Sequence, residues 1–140
     1  MPQTPELKTA IVETEAWLDE FMTIIGWHDR SLAFNAFKSA LHAFRDSLPW
    51  DEAAGVAAYF PPLLRGIYFE GWHPASRSLP LTNRAAFLER IHDAVHQDPG
   101  VDPERVARTL LSLLARRLPT PELEDVKAVA PQELHAFWPL

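Results

Sequence analysis

Two histidines in the second half of the chain have the spacing of metal ligands. In "ERIHDAVH", residues 89–96, His92 and His96 lie four positions apart, so both imidazoles would project from one face of a helix and could bind one ion. Asp93 stands where zinc hydrolases with this spacing usually have Glu, and it is one carbon shorter. A third ligand would have to arrive through the fold from Glu89, His73 or His42. We predict structural or surface histidines, with a metal site as the alternative.

The stretch "LLRGIYFEGWHP", residues 63–74, combines aromatic rings with charged side chains and is the second candidate site. Gly71 can end a short helix in a left-handed conformation, after which Trp72 could fold back against the core. We predict a structural anchor whose large rings cover the end of the core. If the stretch instead binds a partner or a ligand, the binding residues would be Arg65, Tyr68, Glu70, Trp72 and His73.

Other catalytic arrangements find little support in the sequence. The glycines, at positions 26, 55, 66, 71 and 100, are isolated, so no Gly-rich phosphate loop is present, and no Ser lies in a Gly-flanked nucleophile turn. Acidic residues such as Asp51, Glu52 and Glu122 fall in the first turns of predicted helices, where the helix dipole favours them. The sequence therefore predicts no cofactor and no catalytic residues, and it favours a protein that is not an enzyme.

Composition limits the class of protein and of partner. The chain has 140 residues, no Cys, and 13 Lys and Arg against 19 Asp and Glu, a net charge of −6 that opposes binding to a phosphate backbone. No apolar run is long enough to span a bilayer, and the start, "MPQTPELKTAIVETEAW", lacks the basic and apolar regions of a signal peptide. We expect one cytoplasmic domain that binds neither nucleic acid nor membrane.

The chain aligns with itself at an offset of 70 residues, matching 17–70 with 87–140 without a gap. Nine positions are identical, where about three are expected from average composition. Seven of the nine lie in one block, where Leu48, Pro49, Glu52, Val56, Ala58, Pro61 and Leu64 match Leu118, Pro119, Glu122, Val126, Ala128, Pro131 and Leu134. This pattern predicts a duplicated unit, with repeats at about 13–70 and 83–140 and a connector at about 71–82.

Each repeat has the signals of helices. In the first helix, apolar-facing positions recur in steps of three and four at Leu7, Ile11, Thr14, Leu18, Phe21 and Ile25. Thr4 is placed to cap this helix and Gly26 to end it. Prolines at 49 and 61 restart the chain as shorter helices. We predict an all-α fold in which two tandem units of about four helices are related by a pseudo-two-fold axis.

Three segments together resemble a known family: "LHAFRDSLPWDEAAGVAAYFPPLLRGIYFEGWHP", "NRAAFLERI" and "LARRLPTPELEDVKAVAPQELHAFWP". They are similar to the bacterial domain-of-unknown-function family 2267, over about residues 11–139. The "LLRGIYFEGW" stretch, preceded by the Leu-Pro and Glu-Ala spacing, is the most specific part of the resemblance. The resemblance implies a small, helical, cytosolic bacterial protein with an internal duplication, and it implies no chemistry or site residues.

Two classes of function remain. The first is a non-enzymatic interaction or scaffold module that binds another protein, or itself, at the groove or edge between its two units. The alternative is a small-molecule-binding or metal-dependent hydrolytic protein with its site between the units. Self-association could also use the first two turns of the N-terminal helix, Pro5 to Glu13, which precede the duplicated region.

Overall fold

The computed structural model describes residues 4–73 and 81–139, and within those ranges every regular element is helical, as the sequence predicts. Two short 3₁₀ segments among these residues, Ala57–Tyr59 and Gln132–Phe137, supplement the α-helices. Most of the predicted connector, residues 74–80, lies outside the described residues. The α-helices are α1 Pro5–Ile25, α2 Arg30–Ser47, α3 Trp50–Val56, α4 Pro62–Phe69, α5 Arg84–Ala94, α6 Pro103–Arg117 and α7 Thr120–Val129.

Side-chain caps and a left-handed glycine set the helix ends. The Thr4 hydroxyl accepts a hydrogen bond from the backbone N–H of Leu7 at the start of α1, and Gly26 ends that helix with φ of 79°. Asp29 accepts from the N–H of Leu32 at the start of α2. Asn83 and Asp102 cap α5 and α6 in the same way. Since these caps are local, they could be predicted from the sequence.

The long helices of the two halves pack across one another. Helix α1 packs on α6, and α2 packs on α5, while α2 and α6 also contact each other. Their buried side chains form one continuous core, to which α2 contributes Phe37 and Leu41 and α6 contributes Leu110 and Leu114. The two halves therefore share a core instead of each enclosing its own.

The first turns of α1 differ from the sequence-based expectation. Leu7 was expected to face the core, but its side chain is 60% exposed, and the first buried residue of α1 is Thr14. The periodic spacing of the apolar residues does lie along one face of α1. However, α1 has 21 residues and is the longest of the described helices, and its N-terminal turns extend beyond the helices that pack against it. Its first turns therefore present an apolar face to solvent.

Candidate functional site

The side chains of Arg65 and Tyr68, which are among the five predicted binding residues, form hydrogen bonds to backbone carbonyls of the same chain. The Arg65 guanidinium donates from Nε to the carbonyl of Ala57 (3.1 Å) and from Nη2 to that of Phe60 (3.2 Å), which ties α4 to the preceding 3₁₀ segment. Tyr68 is fully buried, and its hydroxyl donates to the carbonyl of Ala53 at 2.6 Å. Burial raises the pKa of the Tyr68 hydroxyl well above its usual value. These contacts give both residues a structural role.

The other three predicted residues lie where α4 ends. Glu70 and His73 are exposed, and Trp72 is half-buried, with its ring 5.1 Å from that of Phe69. Gly71 has φ of 73°, a left-handed conformation that turns the chain back so that the Trp72 N–H donates to the Phe69 carbonyl at 3.0 Å. This end of α4 is therefore a fixed edge that presents an aromatic face and two polar side chains.

A buried ion pair that sequence reasoning missed holds this edge in place. Arg45 and Asp46, both in α2, have side chains that are 4% and 2% exposed and make two hydrogen bonds to each other, of 2.8 and 3.0 Å. Arg45 also donates from Nη1 to the carbonyls of Tyr68 (2.9 Å) and Glu70 (2.8 Å). The guanidinium thus satisfies carbonyls at the end of α4 that the helix leaves without an internal partner.

Asp46 extends the same network to the second half of the chain. Its second carboxylate oxygen accepts from Nη1 of Arg90, in α5, at 2.7 Å, and its backbone carbonyl accepts from the N–H of Leu81 at 2.6 Å. The Asp46 carboxylate therefore contacts two guanidinium groups, and through Arg45 and Arg90 it links α2, α4 and α5. Removing one partner of such a buried pair is costly, because a charge is left in a low-dielectric interior.

His42 lies next to this network, on the same helix. Its Nε2 is 2.7 Å from the carbonyl of Ile67, so Nε2 carries the proton and donates. Burial lowers the pKa of His42, ahead of the opposing effect of that hydrogen bond. The imidazole is therefore neutral at pH 7, and its Nδ1 keeps a lone pair that can accept a hydrogen bond.

The two histidines with metal-ligand spacing are on the surface. His92 Nδ1 is 3.5 Å from a carboxylate oxygen of Asp93, and the two side chains are both largely exposed. His96 Nδ1 donates to the backbone carbonyl of Asp93 at 2.8 Å, beyond the end of α5. Within residues 4–73 and 81–139, no three His, Asp or Glu side chains come close enough together to hold a metal ion. The described residues thus bring neither Glu89, His73 nor His42 to this pair as a third ligand.

Two glutamates from equivalent positions of the repeat meet where α3 packs on α7. Burial raises the pKa of Glu122, and the nearby charge of Glu52 adds to the effect. The buried oxygen Oε1 of Glu122 has no hydrogen-bond partner among the described residues. The protonated form of Glu122 is therefore more favourable in the folded chain than it is for a glutamate in water.

A groove, which we call the α1 groove, runs beside α1; its lining is mainly apolar at the first turns of α1 and mixed near Trp17, where Glu13 and Arg117 contribute. It consists of two adjoining cavities of about 370 and 360 Å³ that share Glu13. The first lies against the segment that joins α3 and α4, and the second lies between the first turns of α1 and the start of α4. Its main lining residues are Leu7, Ala10, Glu13, Trp17, Tyr59 and Pro62.

These features define a class of protein: a small all-helical domain with a shared core, whose charged motif residues support the fold. No helix among residues 4–73 and 81–139 is both long and apolar enough to cross a membrane. Residues 14–137 match the family described as "Uncharacterized conserved protein (DUF2267)", and the chain belongs to that family. A comparison with curated proteins finds no match.

Proposed function

We propose that this chain is a non-enzymatic helical module that binds another protein or a second copy of itself. The observation that carries the proposal is the exposed apolar surface at the α1 groove. Leu7 and Tyr59 line the groove, and Leu63 lies next to it on α4; all three are exposed large apolar side chains. Single exposed apolar residues are common, but several of them around one groove are typical of a binding site.

The edge at the end of α4 is the second contact surface of the proposal. Glu70, Trp72 and His73 supply an aromatic face with a polar rim, a composition common in protein interfaces. Arg65 and Tyr68 would contribute indirectly, by fixing α4 through their bonds to backbone carbonyls. We propose a cytoplasmic setting in a bacterial cell, because a chain without Cys does not depend on an oxidising compartment for its stability.

The proposal includes an internal duplication, and the helix boundaries support it. Helix α2 ends at Ser47 and α6 at Arg117; α3 begins at Trp50 and α7 at Thr120. Both pairs differ by the 70 residues of the sequence alignment (117 − 47 and 120 − 50). Equivalent positions are also buried alike, as with Phe21 and Ile91, and the equivalent pair Leu64 and Leu134.

The packing of the halves supports a pseudo-two-fold axis. If α1 corresponds to α5 and α2 to α6, the α1–α6 contact becomes the α5–α2 contact, and both are among the most extensive in the chain. Ion pairs follow the same relation with the charges reversed. Glu20 of α1 pairs with Arg116 of α6 (3.7 Å), and at the equivalent positions Arg90 of α5 pairs with Asp46 of α2 (2.7 Å).

The test of the interaction proposal is native mass spectrometry of the protein purified from its own host, followed by variants. We expect a retained partner chain or a dimer, and we expect Leu7→Lys to lose it, because a charge would be buried in the α1 groove. Val129→Lys is the matched control, since Val129 is an exposed apolar residue on α7. Trp72→Ala tests the second surface. A bare monomer, or complexes unaffected by both Leu7→Lys and Trp72→Ala, would contradict the proposal.

A cavity between α2 and α5 favours small-molecule binding as a second candidate function. Its volume is about 300 Å³, at the lower end of the usual range for ligand sites. Metal-dependent hydrolysis at His92 and His96 has less support than small-molecule binding, because the described residues provide no third protein ligand beside the two histidines. Uptake of about one zinc ion per chain in the same mass spectrum would reverse this order.

A further inference from the structure

The cavity between α2 and the end of α5 has a polar lining. It is lined on α2 by Asn35, Lys38, Ser39 and His42, and on α5 by Ala94. Ser39 is buried and His42 is partly buried, whereas Asn35 and Ala94 lie at the rim. The pocket is therefore open to solvent on one side and has hydrogen-bonding groups along its wall.

The equivalent place in the other half of the chain holds a guanidinium group. There, Nη2 of Arg105, in α6, donates to the carbonyl of Ile25, the last residue of α1. Subtracting the repeat offset, 105 − 70, places Asn35 at the position of Arg105. Ala94 is likewise equivalent to Ile24, next to the acceptor. The short side chain of Asn35 leaves space where its counterpart carries a guanidinium.

The polar groups that line the α2–α5 cavity suit a planar guanidinium cation. The last carbonyls of α5 give this helix end a partial negative charge, which attracts cations and repels anions. Ser39 and Asn35 add side-chain oxygens, and the neutral imidazole of His42 adds the Nδ1 acceptor described above. A guanidinium presents five N–H donors in one plane and so can bond to several such acceptors together.

Among the described residues that line the cavity, Lys38 is the one with a Lys or Arg charge, and its ammonium group is directed to a ring. Its Nζ lies 5.4 Å from the centre of the Phe34 ring, a cation–π distance. In the other half its equivalent is Arg108, one turn from Arg105 on α6, and Arg105 still reaches the Ile25 carbonyl. The charge of Arg108 is balanced by Glu104 at 2.8 Å, and Phe34 holds the position of Glu104 in α2, so a ring takes the place of the carboxylate beside the cation.

We propose that the α2–α5 cavity binds a guanidinium group, either a small guanidinium compound or an arginine side chain of a partner protein. This inference rests on the proposed duplication, because the Arg105 position serves as its internal template. It also gives the second candidate function a ligand class. The rest of the proposed function does not depend on it, since the α1 groove lies against other residues.

The test is a titration of the ¹⁵N-labelled full chain with agmatine, which carries a guanidinium, followed by amide chemical shifts. We expect saturable shifts at Asn35, Ser39 and Ala94, with a dissociation constant on the order of 1 mM, as suits a small ligand in an open pocket. Butylamine and acetate are the control ligands. Absence of saturable shifts, or equal binding of acetate, would overturn the proposal.

Two variants give the test its internal control. Asn35→Arg would place a guanidinium in the cavity, so we expect at least a tenfold loss of agmatine affinity with the fold retained. Arg105→Asn would open the equivalent cavity beside α1, and we expect agmatine to raise its unfolding temperature more than that of the wild type. If Asn35→Arg binds agmatine as well as the wild type does, the cavity is not the site and the inference fails.

A further arm identifies the source of the guanidinium. A short peptide with one central arginine that binds more tightly than agmatine would indicate a partner protein, and weaker binding would indicate a small compound. In both cases Asn35→Arg must abolish the binding. Failure of the proposed function is a separate result: if agmatine binds while native mass spectrometry finds a bare monomer, the cavity stands and the interaction module does not.

Discussion

The buried pair of Arg45 and Asp46 allows a quantitative test of what holds the motif at the end of α4. Arg45→Met keeps the length and apolar stem of the side chain and removes its charge and donors. The substitution leaves Asp46 paired with Arg90, whose side chain is 39% exposed, and it deprives the carbonyls of Tyr68 and Glu70 of their donor. We therefore expect a large loss of stability.

The magnitude follows from burial. Breaking a buried pair by removing one partner costs about 3 to 5 kcal/mol, whereas an exposed pair contributes about 1 kcal/mol or less. Arg90→Met should therefore cost about 1 kcal/mol, because Arg45 continues to neutralise Asp46. The double variant Arg45→Met with Asp46→Leu should be more stable than Arg45→Met alone by about 1 kcal/mol or more, since no buried charge is then left without its partner.

The assay is urea unfolding followed by circular dichroism, with the free energy of unfolding extrapolated to water. Thermal unfolding should show a fall in the midpoint on the order of 10 °C for Arg45→Met. If Arg45→Met costs no more than Arg90→Met, the buried pair is not what fixes α4. If the double variant loses as much as the two single changes added together, the residues do not act as a pair.

Three further predictions concern single groups. Tyr68→Phe should lower the free energy of unfolding by about 1 to 3 kcal/mol in the same urea assay, because the Ala53 carbonyl loses its buried donor. Burial raises the pKa of Glu122 in the folded state above its usual value of 4.5. Its contribution to stability is therefore present below pH 4.5 and is lost as the pH rises through the folded-state pKa. Glu122→Gln should remove this part of the pH dependence of the unfolding midpoint. Zinc titration should show no binding tighter than about micromolar. The double variant His92→Ala with His96→Ala should have a free energy of unfolding within about 0.5 kcal/mol of the wild type, because both side chains are on the surface. Tight zinc binding that is lost in this variant would contradict the surface assignment.

Local features of the fold were predictable because their causes lie within a few residues. Thr4 and Gly26 bound α1 as expected, and Asp29 caps α2. The prolines at 49 and 61 directly precede α3 and α4, as predicted. Caps and prolines act directly on the neighbouring backbone, so these boundaries follow from the local sequence.

Tertiary features were not predictable, because their partners are distant in sequence. Arg45 and Asp46 are adjacent on a helix, and adjacent residues do not normally face each other, so the sequence gives no sign of a buried pair. Their other partners lie 23 to 44 residues further along the chain. Arg105 of α6 likewise reaches the last carbonyl of α1, 80 residues away. Periodicity likewise could not show that Leu7 extends beyond the helices that would cover it.

The crossed packing of α1 on α6 and of α2 on α5 has a consequence for how the chain must assemble. Each half covers part of its apolar helix faces with the other half, so we expect a cut between residues 74 and 80 to leave two fragments that fold stably only when mixed. A single unit made alone would gain the same cover by pairing with an identical unit. The proposed duplication implies such a homodimer as the ancestor, in which fusion of two genes replaced an encounter between chains with a tether.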